Sequence, residues 1–459
     1  MIVHVKNFGK IESADIDLSN LTIFVGENNS GKSYLMQLIY GLIDFLSEQD
    51  PLFFFVDFQY KFENVSSIRV KSDNSDFYNS LQNKLNSFIE KNKGKIIEKI
   101  FHTHSLTIDS LWVEFNNINY DFELLIKDND DDSELNQDNR KIKKRVSIHK
   151  NGTEVYGVKY IGNSEDGFIA QAKSLFFTLI LFDMLNFPMN IRVPQDKQLL
   201  FLPASRSGLM LLYTNFFANN NVESEENDKS FIDDAEDTKV EENEFGLTQP
   251  VYDFLTFLLK HKTSEMISDD NKAIISFIDK KIINGSMEKA GNTMRYKPDS
   301  SEKSLPIYLS SSLVSELTPI YQILSGIQRY KFILYDEIET CQHPTKQLQL
   351  ARLLVRMVNA GYRMIVSTHS DTMASAINNI LALSLKNNKA DILEKLGYEE
   401  ADILKSANVK AYQFIVENGK TRVIEVPSHF SIGLGFDFDL FNKANEKIYN
   451  DAIEIAEVD

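Results

Sequence analysis

A single cysteine, Cys341, stands in 459 residues. Neither an internal disulfide framework nor a four-cysteine zinc site is available, and a reducing cytosol is the expected setting. Proline and glycine, at 10 and 19 residues, are too scarce for a fibrous or low-complexity chain. Long apolar runs are also missing. The most hydrophobic stretch, 175–182, is interrupted by Thr178 and followed by Asp183. A bilayer crossing needs about 20 apolar residues, so this stretch is expected to be a core helix. The opening MIVHVKNFGK carries a lysine within its first ten residues and does not read as a signal peptide. The expectation is a soluble, cytoplasmic protein without a membrane partner. Positive charge is the remaining shortage. A net charge of −17 would repel a general coat of nucleic acid and leaves room only for a local basic groove.

What is present is ordinary globular composition, 43% hydrophobic and 25% charged. One core rarely grows past about 250–300 residues, which implies two domains or one heavily inserted domain. The acid is uneven: residues 223–244 hold eleven carboxylates against Lys229 and Lys239. A second acidic run at 128–138 meets the basic segment KIKKR at 141–145. Both read as solvated, mobile loops. Strands are expected where Val3 and Val5, then Ala14, Ile16 and Leu18, alternate, and over the apolar run 21–25. Helices are expected through Leu35, Leu38, Ile39 and Leu42, through Phe77, Leu81, Leu85, Phe88 and Ile89, and around 175–185 and 251–259. Further along, apolar strands at 332–335 and 364–367 bracket a helix at 345–358, the spacing of a parallel βαβ unit. Two more strands flank Asn418-Gly419, a hairpin signal, and a last helix covers 441–455. No heptad pattern persists long enough for a long coiled coil. The resulting division is 1–60, an inserted mixed or helical region at 61–300, and 301–459.

Three motifs carry chemistry. Gly26-Glu27-Asn28-Asn29-Ser30-Gly31-Lys32-Ser33 fits G-x-x-x-x-G-K-[ST] between a strand and a helix. Its glycines let backbone N–H groups face phosphate oxygens, Lys32 supplies a cation, and the Ser33 hydroxyl can ligate Mg²⁺. Phe332 to Asp336-Glu337 is an apolar strand ending in two acids. Asp336 is placed to hold Mg²⁺ and Glu337 to polarise an attacking water. Ser367-Thr368-His369-Ser370 ends the next strand, putting His369 at the sheet edge where open α/β folds bind ligands, in the place of a γ-phosphate sensor.

Together, Asn7-Phe8-Gly9-Lys10-Ile11, GENNSGKS, YDEIETCQHPTKQ and STHS resemble the ABC-type AAA ATPases related to RecF and SMC-type heads. Within these the chain is similar to the overcoming-lysogenization-defect ATPases and the stand-alone ATPases of bacterial antiviral systems. The likeness covers residues 1–47 and 300–380, with a weaker echo in Phe201-Leu-Pro-Ala-Ser-Arg206. The group's Asp-Glu-Pro-Glu stands here as Asp336-Glu337-Ile338-Glu339, losing only a rigid proline. The resemblance implies an α/β fold, an ABC-type P-loop ATPase head with a largely helical insertion. It implies that ATP and Mg²⁺ are used and that a serine-rich signature acts in trans. Ser311 and Ser312, within the stretch from Ser310 to Glu316-Leu317, would contact ATP held by another subunit, forming a homo-oligomer of ATP-sandwich dimers from which a larger ring can be built.

The overcoming-lysogenization-defect nucleases continue into a TOPRIM nuclease domain. Residues 370–459 are too few for one beside a hairpin and a helix, and they show no suitable acidic triad. The architecture therefore resembles the ATPase component of two-gene antiphage systems such as PARIS or Septu. That resemblance implies an ATP-hydrolysing sensor or scaffold controlling a separate effector, a nuclease, in response to a phage-encoded trigger. Two rivals stand beside it. A RecF- or SMC-like DNA-repair ATPase would need a local basic groove, for which 141–145 is the candidate. A metabolic P-loop kinase would need neither the serine signature nor His369.

Overall fold

The computed structural model describes residues 1–49, 53–55, 67–115, 120–128, 142–162, 166–185, 198–216, 246–264, 266–290, 293–327, 330–387, 389–404, 409–429 and 435–456. The acidic run 223–244 and most of the run 128–138, with Lys141, lie outside the described residues.

Sixteen strands are described. They are β1 (Ile2–Phe8), β2 (Ile11–Asp17), β3 (Leu21–Gly26), β4 (Ser67–Val70), β5 (Ile108–Glu114), β6 (Phe122–Asp128), β7 (Ile142–Lys150) and β8 (Thr153–Gly162). After them come β9 (Leu199–Leu202), β10 (Gly285–Ala290), β11 (Thr293–Pro298), β12 (Leu305–Pro306), β13 (Phe332–Tyr335), β14 (Arg363–Thr368), β15 (Val409–Glu417) and β16 (Lys420–Glu425). Nine form the central sheet, in the order β5-β1-β2-β16-β15-β3-β14-β13-β9. From β15 to β9 the neighbours pair in parallel, while β5, β1 and β2 pair antiparallel. The α/β head expected from the sequence is therefore present, with a parallel half carrying the phosphate loop.

The parallel strands read as unbroken apolar runs because both faces are covered. Along them, side chains alternate between two cores. Phe24, Phe201, Leu334, Ile365 and Phe414 point to one core, which the helix Lys32–Ser47 closes with Leu35, Leu38, Ile39 and Leu42. Ile23, Leu200, Ile333, Val366 and Ala411 point to the other, closed by the helices Ser312–Ser325, Pro344–Asn359 and Asp371–Ser384. The helix that opens on Lys32 and the helix that opens on Ser312 thus lie on opposite faces of one sheet.

The expected βαβ unit is present: β13 and β14 are parallel around Pro344–Asn359. Asn418 and Gly419 turn the β15–β16 hairpin with φ of 52° and 79°, the left-handed pair such a two-residue turn requires. The last helix runs Asp439–Ala456. The helix Asp166–Met184 is long and apolar enough to cross a membrane by length and composition. Its Phe176, Phe177 and Ile180 nevertheless pack with no exposure inside the first core.

Two expectations need correction. Residues 142–145, read as part of a solvated charge run, belong to β7 of a four-stranded antiparallel sheet, β4-β6-β7-β8. Val146 and Ile148 are buried, so an alternating strand continues from the basic stretch. Residues 61–300 were expected as one insertion, yet β5 and β9 from within it are strands of the central sheet. The Leu199–Leu202 run is four apolar residues, too short for periodicity to separate strand from helix.

Candidate active site

Strand β3 ends at Gly26, and the chain turns through Glu27–Gly31 into the helix Lys32–Ser47. Two glycines make the turn possible. A Cβ on Gly26 would stand 2.9 Å from the Phe414 Cβ and 3.1 Å from the Phe414 carbonyl oxygen. Gly31, capping the helix at φ 99°, holds a left-handed conformation that side chains disfavour. The helix carries no acidic residue in its first turn, so its free N–H groups and the positive end of its dipole are open to an anion. The Lys32 ammonium is buried and donates to the carbonyl oxygens of Gly26 at 2.9 Å and Glu27 at 2.8 Å. Burial pulls its pKa down, opposed by the carboxylates of Asp336, Glu337, Glu339 and Glu27. A cation resting on two neutral carbonyls at the start of a helix is an arrangement that can take up a phosphate. Glu27, Asn28 and Asn29 are exposed and Ser30 is buried.

Across the loop, β13 delivers Asp336, 3% exposed. Its Oδ1 accepts from the Ser367 hydroxyl at 2.6 Å, and the Ser33 hydroxyl bonds to the same carboxylate. Burial pushes the Asp336 carboxyl up, and the hydrogen bonds from Ser367 and Ser33 pull it back. Asp336 and Ser33, the two residues expected to share one cation, thus stand within one hydrogen bond of each other. No group of three or more His, Cys, Asp or Glu side chains placed to hold a metal occurs among the described residues. The donor set suits a small hard cation that takes its other ligands from phosphate and water, as Mg²⁺ does.

Glu337 follows with φ 44°, left-handed for a residue that has a Cβ. Its N–H donates to the Ser367 Oγ at 2.8 Å. The Ser367 hydroxyl therefore accepts from the Glu337 backbone while donating to Asp336. In the sequence Ser367 stands out only as a letter of STHS. Its role depends on the parallel register pairing Tyr335 with Val366, which sets Ser367 opposite Asp336.

His369 sits with Glu337 in an open cleft of about 690 Å³. Its Nδ1 lies 2.8 Å from Glu339 Oε1, which also accepts the His369 backbone N–H at 2.7 Å. The hydrogen bond to Glu339 raises the imidazole pKa, against a lowering by burial. Burial alone would raise the Glu339 carboxyl, but the hydrogen bonds from His369 hold it below its ordinary value. The sequence motifs alone assign Glu339 no role. The signal was there in Asp336-Glu337-Ile338-Glu339, where the third acid recurs two residues after the second.

Ser311 and Ser312 are not brought to this cluster. Both are exposed at the start of the helix Ser312–Ser325, and the Ser311 hydroxyl makes no capping bond to it. The hydrogen bonds described around Lys32, Asp336, Glu337 and His369 involve neither serine. Four residues along the same helix, Glu316 is 1% exposed, with its Oε2 2.6 Å from the Nε of the fully buried Arg206. Burial pushes the Glu316 carboxyl up and Arg206 draws it back.

Among solved structures, the chain is similar to an Smc head bound to the C-winged helix domain of ScpA, at 12% identity and a TM-score of 0.36, covering 94% of this chain and 98% of that one. It is similar to the SMC head domain from Thermotoga maritima at 10% identity and a TM-score of 0.33, covering 93% and 98%. An Smc head with an extended coiled coil bound to the C-terminal domain of ScpA, from Pyrococcus furiosus, gives 13% identity and 0.35, covering 98% of both. These likenesses are remote, and no function is carried over from them. No curated protein sequence matches the chain. The family model described as "AAA ATPase domain" matches residues 1–374. That span takes in both strands of the βαβ unit as well as the phosphate loop, and the chain belongs to the AAA ATPase domain family.

Proposed function

We propose that this chain is a Mg²⁺-dependent ATPase head of ABC type that closes on ATP between two copies. Its nucleotide state would govern a separate effector, a nuclease, in bacterial antiphage defence. The observation that carries the ATPase half is the Ser367 hydroxyl, which ties Asp336 to the Glu337 backbone beside Lys32. On ATP binding, Lys32 exchanges two loop carbonyls for phosphate oxygens, and the helix N–H groups take the remaining charge. Asp336 and Ser33 would hold Mg²⁺, which when bound neutralises charge on the phosphates. Glu337 orients a water and takes its proton at a carboxylate oxygen. His369, its Nδ1 engaged by Glu339, offers Nε2 to the γ-phosphate.

Pairing is supported by what surrounds the serines. Tyr308 and Leu309, in the 3₁₀ turn just before them, are 58% and 60% exposed and place adjacent apolar surface beside the serines. A second copy laid against Ser311 and Ser312 would cover it. The defence role rests on the motif resemblance. A DNA-repair role draws less support, because Arg145 in the basic stretch is already paired with both carboxylate oxygens of Glu154, at 3.2 and 3.1 Å.

Glu337→Gln keeps the shape of the side chain and loses its basic oxygen. It should retain ATP, slow hydrolysis more than tenfold and accumulate an ATP-bound pair, read by light scattering. Turnover within about threefold of wild type, roughly 0.7 kcal/mol of barrier, removes Glu337 from the mechanism. Phage plating on cells carrying this gene with its genomic neighbour, and with Glu337→Gln, tests the defence role. Equal plaque counts with wild type, variant and empty vector would reject it.

A further inference from the structure

Among the described residues, Arg206 is the largest side chain with no solvent exposure. It lies just beyond β9, and its guanidinium gathers three segments. Nη1 donates to the Pro203 carbonyl at 3.1 Å and to the Asp336 carbonyl at 2.9 Å. Nη2 donates to the Glu337 carbonyl at 3.2 Å. Nε faces Glu316 at 2.6 Å, and the guanidinium carbon stacks 4.6 Å from the Tyr335 ring centroid. A buried ion pair gives little net stability compared with an apolar core of the same volume. What this one supplies is connection. The left-handed Glu337 is gripped from both sides, its N–H by Ser367 and its carbonyl by Arg206. The other end of the same guanidinium holds the helix that starts at Ser312.

We propose that Arg206 is a positioning residue: through Glu316 it transmits the seating of the Ser312–Ser325 helix to the backbone of Asp336 and Glu337, so that Glu337 is aimed only when that helix is docked. The proposal rests on the reading that Ser311 and Ser312 face a partner's ATP. A shift of that helix moves Glu316, Glu316 draws the guanidinium, and the guanidinium releases or restores the carbonyls that fix the Glu337 peptide. The planar fork is required, because an ammonium can reach the carboxylate or the carbonyls but cannot hold both directions at once.

The test uses the full chain with Arg206→Lys, Glu316→Gln and the double variant, measuring ATP affinity, KM, kcat and melting temperature. A positioning role predicts that Arg206→Lys binds ATP within threefold of wild type, leaves KM unchanged and lowers kcat at least tenfold. Glu316→Gln should do the same. The double variant should be no slower than the slower single one, because both lie on one connection. A kcat for Arg206→Lys within threefold of wild type overturns the proposal. So does a double variant whose losses multiply, or a loss of ATP binding in step with melting temperature. Should Arg206→Lys fail to fold, the isosteric Glu316→Gln decides alone, and a normal kcat there overturns the proposal. Wild-type hydrolysis that ignores subunit concentration would refute the paired reading. Concentration-dependent hydrolysis with a full rate in Arg206→Lys would refute only the coupling.

Discussion

A hydroxyl, an imidazole and a buried guanidinium organise the residues around Glu337. The pairing of His369 with Glu339 has a definite pH signature. The His369 pKa is raised above its ordinary 6.5 and the Glu339 pKa lowered below 4.5. A raised histidine gives its stabilisation in full below 6.5 and loses it as pH climbs through the folded value. A lowered carboxylate gives its own in full above 4.5 and loses it as pH falls through the folded value. The pair is therefore worth most between 4.5 and 6.5 and fades above that window. Because the His369 side chain is 38% exposed, solvent screening holds the effect to roughly 0.5–1 kcal/mol. Urea unfolding of wild type and His369→Gln should show wild type ahead near pH 5.5 and the gap closing by about pH 9. A gap that stays flat or widens with pH would mean the pair does not form. Each of these residues was visible in the sequence as a motif letter. What was not visible is that Glu339 belongs to His369 and Ser367 to Asp336, since those partnerships are made by the register between two strands about thirty residues apart.

Among elements, the parallel strands and their helices were legible because burial on both faces leaves apolar runs bounded by clear helix signals. The helix expected at 345–358 runs Pro344–Asn359. Elements whose pattern is diluted by charge were harder to see. In β7, Val146 and Ile148 alternate behind Lys143, Lys144 and Arg145, whose charges mask the period of two. The hairpin of β10 and β11 and the π-helical turn Ile278–Ile283 before it have no distinct periodic signature. That turn contains Asp279, whose Oδ1 is buried without a hydrogen-bond partner. Burial and the nearby Asp299 push its pKa up to about 7, against a lowering by Lys280. Between its ordinary 3.8 and about 7 the folded state holds this proton more tightly than the unfolded chain, so stability falls as pH rises through that window. Asp279→Asn removes the penalty. Its advantage over wild type in thermal unfolding should be near zero at about pH 4 and reach about 1–2 kcal/mol by about pH 8, a value discounted for the water this group still meets. An advantage that does not grow with pH would show that Asp279 ionises freely.

For the whole molecule, the sheet itself separates the two halves of the proposed reaction site. The Lys32 helix closes one face and the Ser312 helix the other, and Ser311 and Ser312 enter none of the hydrogen bonds described around Lys32 and Asp336. In the proposed pairing two copies related by a two-fold axis would solve this, each lending its serines to the other's nucleotide, and such closed pairing is the common mode for soluble oligomers. The arrangement makes a prediction that no single-chain site shares. A Lys32→Ala subunit loses the loop's side-chain cation and should not hold ATP. A subunit with Ser311→Ala and Ser312→Ala should hold ATP but offer nothing to its neighbour. Each is inactive alone. In a mixed pair, the intact loop of the serine variant meets the intact serines of the Lys32 variant, and one working site of two is rebuilt. With free exchange at equal amounts, half the pairs are mixed, so hydrolysis should recover to about a quarter of the wild-type rate and fall away on either side of that ratio. Exchange is checked by native mass spectrometry, so that a missing recovery cannot be blamed on subunits that never met. No recovery at any ratio with mixed pairs present counts against sites that work independently in trans. Full hydrolysis by wild type diluted to a verified monomer rejects the trans arrangement itself, because a lone chain would then turn ATP over without a partner's serines.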